Sequence, residues 1–269
     1  MSDPLDHLLH LLDLEPIETN LFRGANPGEG PGRVFGGQVA SQALRAAQRT
    51  VDIDHAIHSL HSYFMRPGEH GVPILYKVER LRDGRSFTTR RVTAIQHGEA
   101  IFILEGSFHV AEDGPEYALP APADLRDPDD LPARDRHRWS HHRPVDIRES
   151  IVPPLDPNTG QVSTRRMWIR SLGSLPDDDP GLHACVLTYA SDMGPVGAAR
   201  RPHEDTWADG TLMSASLDHI MWFHRPVRAD EWLLYDLAAG ATTGARGLAR
   251  GSMFPRAGTL ALSVDQEAP

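Results

Sequence analysis

One cysteine, one lysine and no apolar run longer than Ala100–Leu104 set the first bounds on this chain of 269 residues. The lone thiol, Cys185, excludes an intramolecular disulfide and fits a reducing compartment. A bilayer-spanning helix needs about 20 apolar residues, so no span is expected. The opening MSDPLDHLLHLL also lacks the basic start and small-residue cleavage site of a secretory signal. A cytoplasmic location, away from any membrane, is the expectation. Basic charge is scarce: 27 Lys and Arg stand against 37 Asp and Glu, for a net charge of −10. A nucleic-acid partner, which needs a basic footprint, is therefore not expected.

Lys77 being the only lysine, every other cation is arginine, a skew that reflects genome composition more than function. One cluster, Arg80, Arg82, Arg85, Arg90 and Arg91, concentrates that charge. It reads either as a solvated strand-and-turn face or as a dock for a phosphorylated ligand. Several familiar motifs are missing: no G-x-S-x-G elbow, no P-loop, and no G-x-G-x-x-G opening a helix after a strand. His55, His58 and His61 are evenly spaced, but that spacing alternates faces on a strand, and no H-E-x-x-H or cysteine pair accompanies them. Neither a metal nor another cofactor is expected.

What the chain does contain is a repeat. HSLHSYFMRP at 58–67 returns as LDHIMWFHRP at 217–226, so Arg66–Pro67 matches Arg225–Pro226 at a shift of 159 residues. Tyr76 meets Tyr235 at the same shift, and Gly98 meets Gly258 at a shift of 160. Three landmarks in one order indicate a duplicated unit of roughly a hundred residues. With 40% apolar residues the chain can bury a substantial core. The expected layout is an N-terminal unit over 1–110, a Pro/Asp/Arg-rich linker over 111–143 with no chemistry of its own, and a C-terminal unit over 144–269 carrying the reactive groups.

Local patterns fill in this layout. Leu5, Leu8, Leu9 and Leu12 have helical spacing, with Asp3 as N-cap and Pro4 at the first helical position. The alanine-rich QVASQALRAAQRTV predicts a helix after a Gly-rich stretch. Strands are expected near 56–65, 73–82, 86–96 and 99–110. The second half repeats this plan with a helix at about 180–192, then strands near 213–224, 231–240, 245–255 and 259–266. One helix followed by four strands, twice, implies an α+β fold in which antiparallel sheet wraps a helix.

The copies differ where polar chemistry could sit. Ser216 aligns with Ile57, Gln266 with Gly106, and Asp218 with Ser59, while Asp192 ends the second candidate helix in TYASDMG. Each alone has an ordinary explanation: a turn cap, a strand hydroxyl, an exposed strand end. Together Asp192, Ser216 and Gln266 offer a carboxylate, a hydroxyl and an amide, a set able to bind, orient and deprotonate a water.

At this point the sequence resembles the type II acyl-CoA thioesterases. The likeness runs through VFGGQVASQAL, HSLHSYFMRPG, WIRSLGSLPDD, TYASD, SLDHIMWFHRP, EWLLYD, RGLARGSMF and the closing VDQE. FGGQ alone would carry little; the ordered set covers nearly the whole chain. The resemblance implies a double hot-dog fold and hydrolysis of a fatty acyl-CoA to free acid and CoA. It implies Asp192, Ser216 and Gln266 as the catalytic set, with serine where the family more often has threonine. It also implies that two fused copies act as their own dimer and keep one site, Ile57 and Gly106 marking the lapsed one. Gly36–Gly37 would let the thioester carbonyl reach backbone donors at Gly37 or Gln38; the plainer reading is that these glycines only make a turn. The expected partner is the acyl-CoA substrate, with the chains themselves forming a homo-oligomer. Two rivals stand beside this. A hot-dog enoyl-CoA hydratase would need a histidine shortly after the aspartate, where Met193, Gly194, Pro195 and Val196 stand. A non-catalytic acyl-CoA-binding protein would have had no reason to keep all three polar groups.

Overall fold

The computed structural model describes residues 3–28, 32–133, 143–149, 155, 162, 164–203, 215–256 and 258–269. The N-terminal helix α1, Pro4–Leu12, starts as the sequence predicts: the Asp3 side chain accepts from the Leu5 N–H, and Leu5, Leu8, Leu11 and Leu12 are buried. A short antiparallel pair follows, β1 (Glu15–Glu18) and β2 (Leu21–Gly24). Helix α2, Gly36–Gln48, buries Val39, Ala40, Ala43, Leu44, Ala46 and Ala47. Strands β3 (His55–Phe64), β4 (Ile74–Asp83), β5 (Phe87–Gln96) and β6 (Glu99–Val110) complete the first half.

The second half opens with β7 (Val145–Glu149) and β8 (Arg165–Ser171). It continues through α3 (Pro180–Ser191), α4 (Pro195–Arg200), β9 (Asp218–Phe223), β10 (Leu233–Thr243), β11 (Arg246–Pro255) and β12 (Leu262–Ala268). All twelve strands form one sheet in the order β1-β2-β4-β5-β6-β3-β9-β12-β11-β10-β8-β7, with every pairing antiparallel. Read outward from the centre, the two halves follow the same plan. They join where β3 pairs with β9, Ser62 opposite His219 and Tyr63 opposite Asp218. α2 and α3 pack on each other and on the sheet, which is the double hot-dog arrangement.

The landmarks of the repeat have structural causes. Tyr76 and Tyr235 are fully buried on equivalent strands; their hydroxyls donate to Gln42 Oε1 at 2.8 Å and to the Ser191 carbonyl at 2.9 Å. Gly98 and Gly258 have φ of 79° and 115°, the left-handed region that glycine tolerates.

Two expectations need correction. The connecting segment is more than a linker. Leu131, packed with Trp168, Trp232, Leu234 and Phe254, forms a second small core. The Trp168 indole N–H donates to the Arg126 carbonyl at 3.0 Å. The segment also touches the site, because Arg143 lines the cavity described below; residues 134–142 of it lie outside the described ones. The arginine cluster is not a uniform solvated face either. Arg90 is 1% exposed and donates to Thr50 Oγ1 at 2.8 Å and to Asp83, locking β5 to the end of α2. Arg91 pairs with Glu105 on the neighbouring strand. His58 and His61 point to separate neighbours, Ser107 Oγ at 2.7 Å and the Trp222 ring at 5.5 Å.

Candidate active site

The N-terminus of α2 meets the C-terminus of α3, and neither could approach the other with side chains in the way. A Cβ on Gly36 would lie 2.9 Å from Asp192 Oδ2, and one on Gly37 would lie 2.5 Å from the Tyr189 carbonyl oxygen. These glycines therefore do more than turn the chain; they permit the contact. Across it the Gly37 N–H donates to Asp192 Oδ2 at 2.9 Å. A carboxylate at a helix N-terminus is favoured by the unpaired donors and the helix dipole there.

Asp192 caps α3, and its other oxygen accepts from Ser216 Oγ at 3.1 Å. Gln266, 1% exposed on β12, donates from Nε2 to the same Ser216 Oγ at 2.6 Å. The structure thus brings together Asp192, Ser216, Gln266 and Gly37, drawn from both halves. Gln38 stands apart: its N–H donates to the Phe35 carbonyl at 3.1 Å, and its side chain reaches Asn26 Oδ1 at 3.3 Å. With the Gly37 N–H on Asp192, neither donor expected for a substrate oxygen is open. Among the described residues no acceptor meets the N–H of Gly36, the first helical residue.

One buried residue of this site escapes the sequence reading. His219 on β9 is 0% exposed; its Nδ1 lies 2.6 Å from Gln266 Oε1 and its Nε2 lies 2.8 Å from Ser191 Oγ. Its signal was present in the repeat, since Leu60 holds the corresponding place in β3. Burial pushes the Asp192 carboxyl above the usual carboxylate range, opposed by the His219 ring and by donors from Ser216, Gln266 and Gly37. Burial likewise lowers the His219 pKa, opposed by Asp192, Gln266 and Asp218.

A cavity of ≈ 650 Å³ opens over Asp192 and Ser216, with Phe35, Val39, Phe64 and Tyr189 among its apolar walls. Arg33, Arg66, Arg143, Arg165 and Arg200 also line it, an inversion of the chain's overall acidity. Arg165 is tied to Glu149 at 2.6 Å, whereas Nε and Nη2 of Arg200 are buried without a hydrogen-bond partner.

The mirror position in the first half holds different groups. Gln48 stands at the end of α2 as Asp192 does at the end of α3, and it donates to the Gly181 carbonyl at 3.0 Å. Asp179 caps α3 and pairs with Arg45 at 2.7 Å. Ile57 Cδ1 lies 3.3 Å from where a Gly106 side chain would begin. Gln48, Ile57 and Gly106 stand in the places of Asp192, Ser216 and Gln266, with the Arg45–Asp179 ion pair beside them.

Comparison with known proteins agrees with this geometry. Family models described as acyl-CoA thioesterase and acyl-CoA thioesterase N-terminal domain match residues 136–268 and 26–109. Human acyl-coenzyme A thioesterase 8 is 38% identical over 96% of this chain and 86% of its own length. Acyl-CoA thioesterase 2 of Haemophilus influenzae is 36% identical over 99% of this chain and 98% of its own. The crystal structure of the acyl-CoA thioesterase II TesB2 from Mycobacterium marinum superposes with a TM-score of 0.85 at 43% identity, covering 97% of this chain and 96% of that one. A chain built from two hot-dog halves, matched along nearly its whole length by such relatives, belongs to the type II acyl-CoA thioesterases and hydrolyses acyl-CoA thioesters.

Proposed function

We propose that the substrate is a fatty acyl-CoA and that Asp192 is the general base. The observation that carries this reading is the Asp192 carboxylate, held by donors on both oxygens at the floor of an apolar cavity with a cationic rim. Its pKa, raised by burial, makes it a better proton acceptor than an ordinary carboxylate. Ser216 and Gln266 hold the attacking water. That water gives a proton to Asp192 as its oxygen bonds to the thioester carbon. The carbonyl oxygen takes up the developing charge facing the open Gly36 N–H. When the C–S bond breaks, the proton passes from Asp192 to the sulfur, leaving a fatty acid and CoA thiol. The Gly37 N–H orients the base. The arginines, Arg200 foremost, receive the phosphates of CoA, a role suited to guanidinium forks.

Thiol release measured across short, medium and long acyl-CoAs tests the reading. Asp192→Asn should remain folded and lose about 10²- to 10⁴-fold in kcat, the usual general-base contribution. Turnover within a few-fold of the parent in a folded variant would show that Asp192 is not the base. Stoichiometric acyl-CoA binding by the parent without thiol release would identify a silent binder.

A further inference from the structure

We infer that His219 is a positioning residue: its Nδ1–H fixes the orientation of the Gln266 amide and, through it, the direction of every hydrogen bond that reaches Asp192. This rests on the assignment of Ser216 and Gln266 to the reacting water.

The argument is one of donor counting. Ser216 has a single hydroxyl proton and Asp192, ionised, has none. For Ser216 to donate to Asp192 Oδ1, its oxygen must take its other bond, at 2.6 Å, as an acceptor from Gln266. Gln266 must then present its NH₂ to Ser216 and its carbonyl oxygen to His219, 2.6 Å from Nδ1. A carbonyl oxygen needs a donor, so Nδ1 must be protonated.

The far side of the ring allows this in either charge state. Ser191 Oγ lies 2.8 Å from His219 Nε2 and 2.9 Å from the Thr188 carbonyl. With a neutral ring, Ser191 donates to Nε2. With a charged ring, Nε2–H donates to Ser191, which donates onward to Thr188. Both states leave the proton on Nδ1, so the direction of the chain does not depend on the charge of His219.

The opposite tautomer would reverse the chain. An Nδ1 lone pair calls for the Gln266 NH₂, which turns Oε1 toward Ser216 and draws the Ser216 proton away from Asp192. The carboxylate would lose its hydroxyl donor, and the amide would present an acceptor where it now presents a donor. Burial makes the choice firm: His219 and Gln266 are 0% and 1% exposed, leaving little access for water to make up a mismatched pair. The lapsed half fits the same account, since Leu60 opposite Gly106 removes both members together.

Two measurements test this. In nitrogen-15 NMR of the intact protein, the His219 ring, identified by its absence in His219→Asn, should carry its proton on Nδ1; a ring protonated on Nε2 alone overturns the inference. In a kinetic cycle, parent, His219→Leu, Gln266→Ala and the double variant are compared for thiol release, each with its melting temperature. His219→Leu should lower kcat about 10- to 100-fold, as loss of an orienting hydrogen-bond partner does, with KM nearly unchanged. The double variant should be no slower than Gln266→Ala, because His219 acts through that amide. His219→Asn, which keeps a donor near the place of Nδ1, should recover much of the loss. Equal His219→Leu losses in both backgrounds, parental kcat in His219→Leu, or a folded His219→Asn no better than it would each sink the inference while leaving the Gln266 assignment standing. Parental turnover in Gln266→Ala would instead remove that assignment and the inference with it. Should His219→Leu fail to fold, the NMR result decides alone.

Discussion

Ser216 carries two bonds with one hydroxyl, so its replacements separate two contributions. Ser216→Thr keeps both bonds, and the added methyl restricts χ1; since Ser216 borders the cavity, the methyl has space. The rate should stay within a few-fold of the parent or rise slightly. Ser216→Ala deletes the donor to Asp192 and leaves Gln266 Nε2 without its acceptor. Turnover should fall well below that of the threonine variant. It should also move the acidic limb of kcat/KM to higher pH. The Ser216 hydroxyl favours the ionised carboxylate, so its removal raises the Asp192 pKa, already raised by burial, and the base is protonated sooner as pH falls. A pH–rate profile on both variants checks this; an unshifted limb in Ser216→Ala would break the link to Asp192. At this scale the sequence was informative where the two copies differed. Ser216 and Gln266 stood out as polar groups opposite Ile57 and Gly106, and Asp192 as a carboxylate at the end of a helix. His219 did not, because a histidine between apolar strand residues reads as ordinary core until its partners are known.

Helices α2 and α3 meet end to end twice, once at each end of the pair, and only one meeting holds Asp192. Gly37→Ala would place a methyl 2.5 Å from both the Tyr189 carbonyl oxygen and the Phe35 ring. Backbone cannot yield as a side chain can, so the helices must part and the Gly37 N–H must leave Asp192. About 1–3 kcal/mol of stability should be lost, the usual cost of overpacking, and activity with it. Gly181→Ala, at the opposite end, meets only the Gln48 side chain at 3.1 Å. It should be milder in melting temperature and near parental in rate; equal effects would show that the helix contact has no special part in the site. Element boundaries were most legible where burial leaves a pattern. β5 alternates exposed or half-buried with buried residues along its whole length, and it falls where expected. β1 is exposed at all four residues, so no hydrophobic period announces it. Likewise α4, six residues after Gly194, is too short for helical spacing to show.

For the molecule as a whole, the duplication predicts unequal consequences from equivalent positions. Gly106→Ala sets a methyl 3.3 Å from Ile57 Cδ1 and from a ring carbon of Phe108, away from Asp192, Ser216 and Gln266. It should leave turnover unchanged apart from a small stability cost. Gln266→Ala, at the equivalent position one repeat later, should lower turnover sharply in a folded protein. Rates and melting temperatures measured together separate lost chemistry from lost structure, and matching rate losses in two well-folded variants would overturn a single site per chain. The duplication, the α+β class and eight of the twelve strands were readable from spacing and pattern; β1, β2, β7 and β8, and the order of strands within the sheet, were not. The cationic lining of the cavity was not, because its arginines lie far apart in sequence and only folding gathers them against a net charge of −10.

Because Asp192 is held from α2 in one half while Ser216 is held from β12 in the other, no part of the chain is competent before the rest. During synthesis, the strands from β3 to β11 emerge after the first of these supports and before the last. On the proposed assignment, a ribosome-bound fragment lacking β12 has a base but no amide to direct the water. On that assignment hydrolysis begins only after β12 has entered the sheet between β9 and β11, and the appearance of free thiol in a translation reaction would time that insertion.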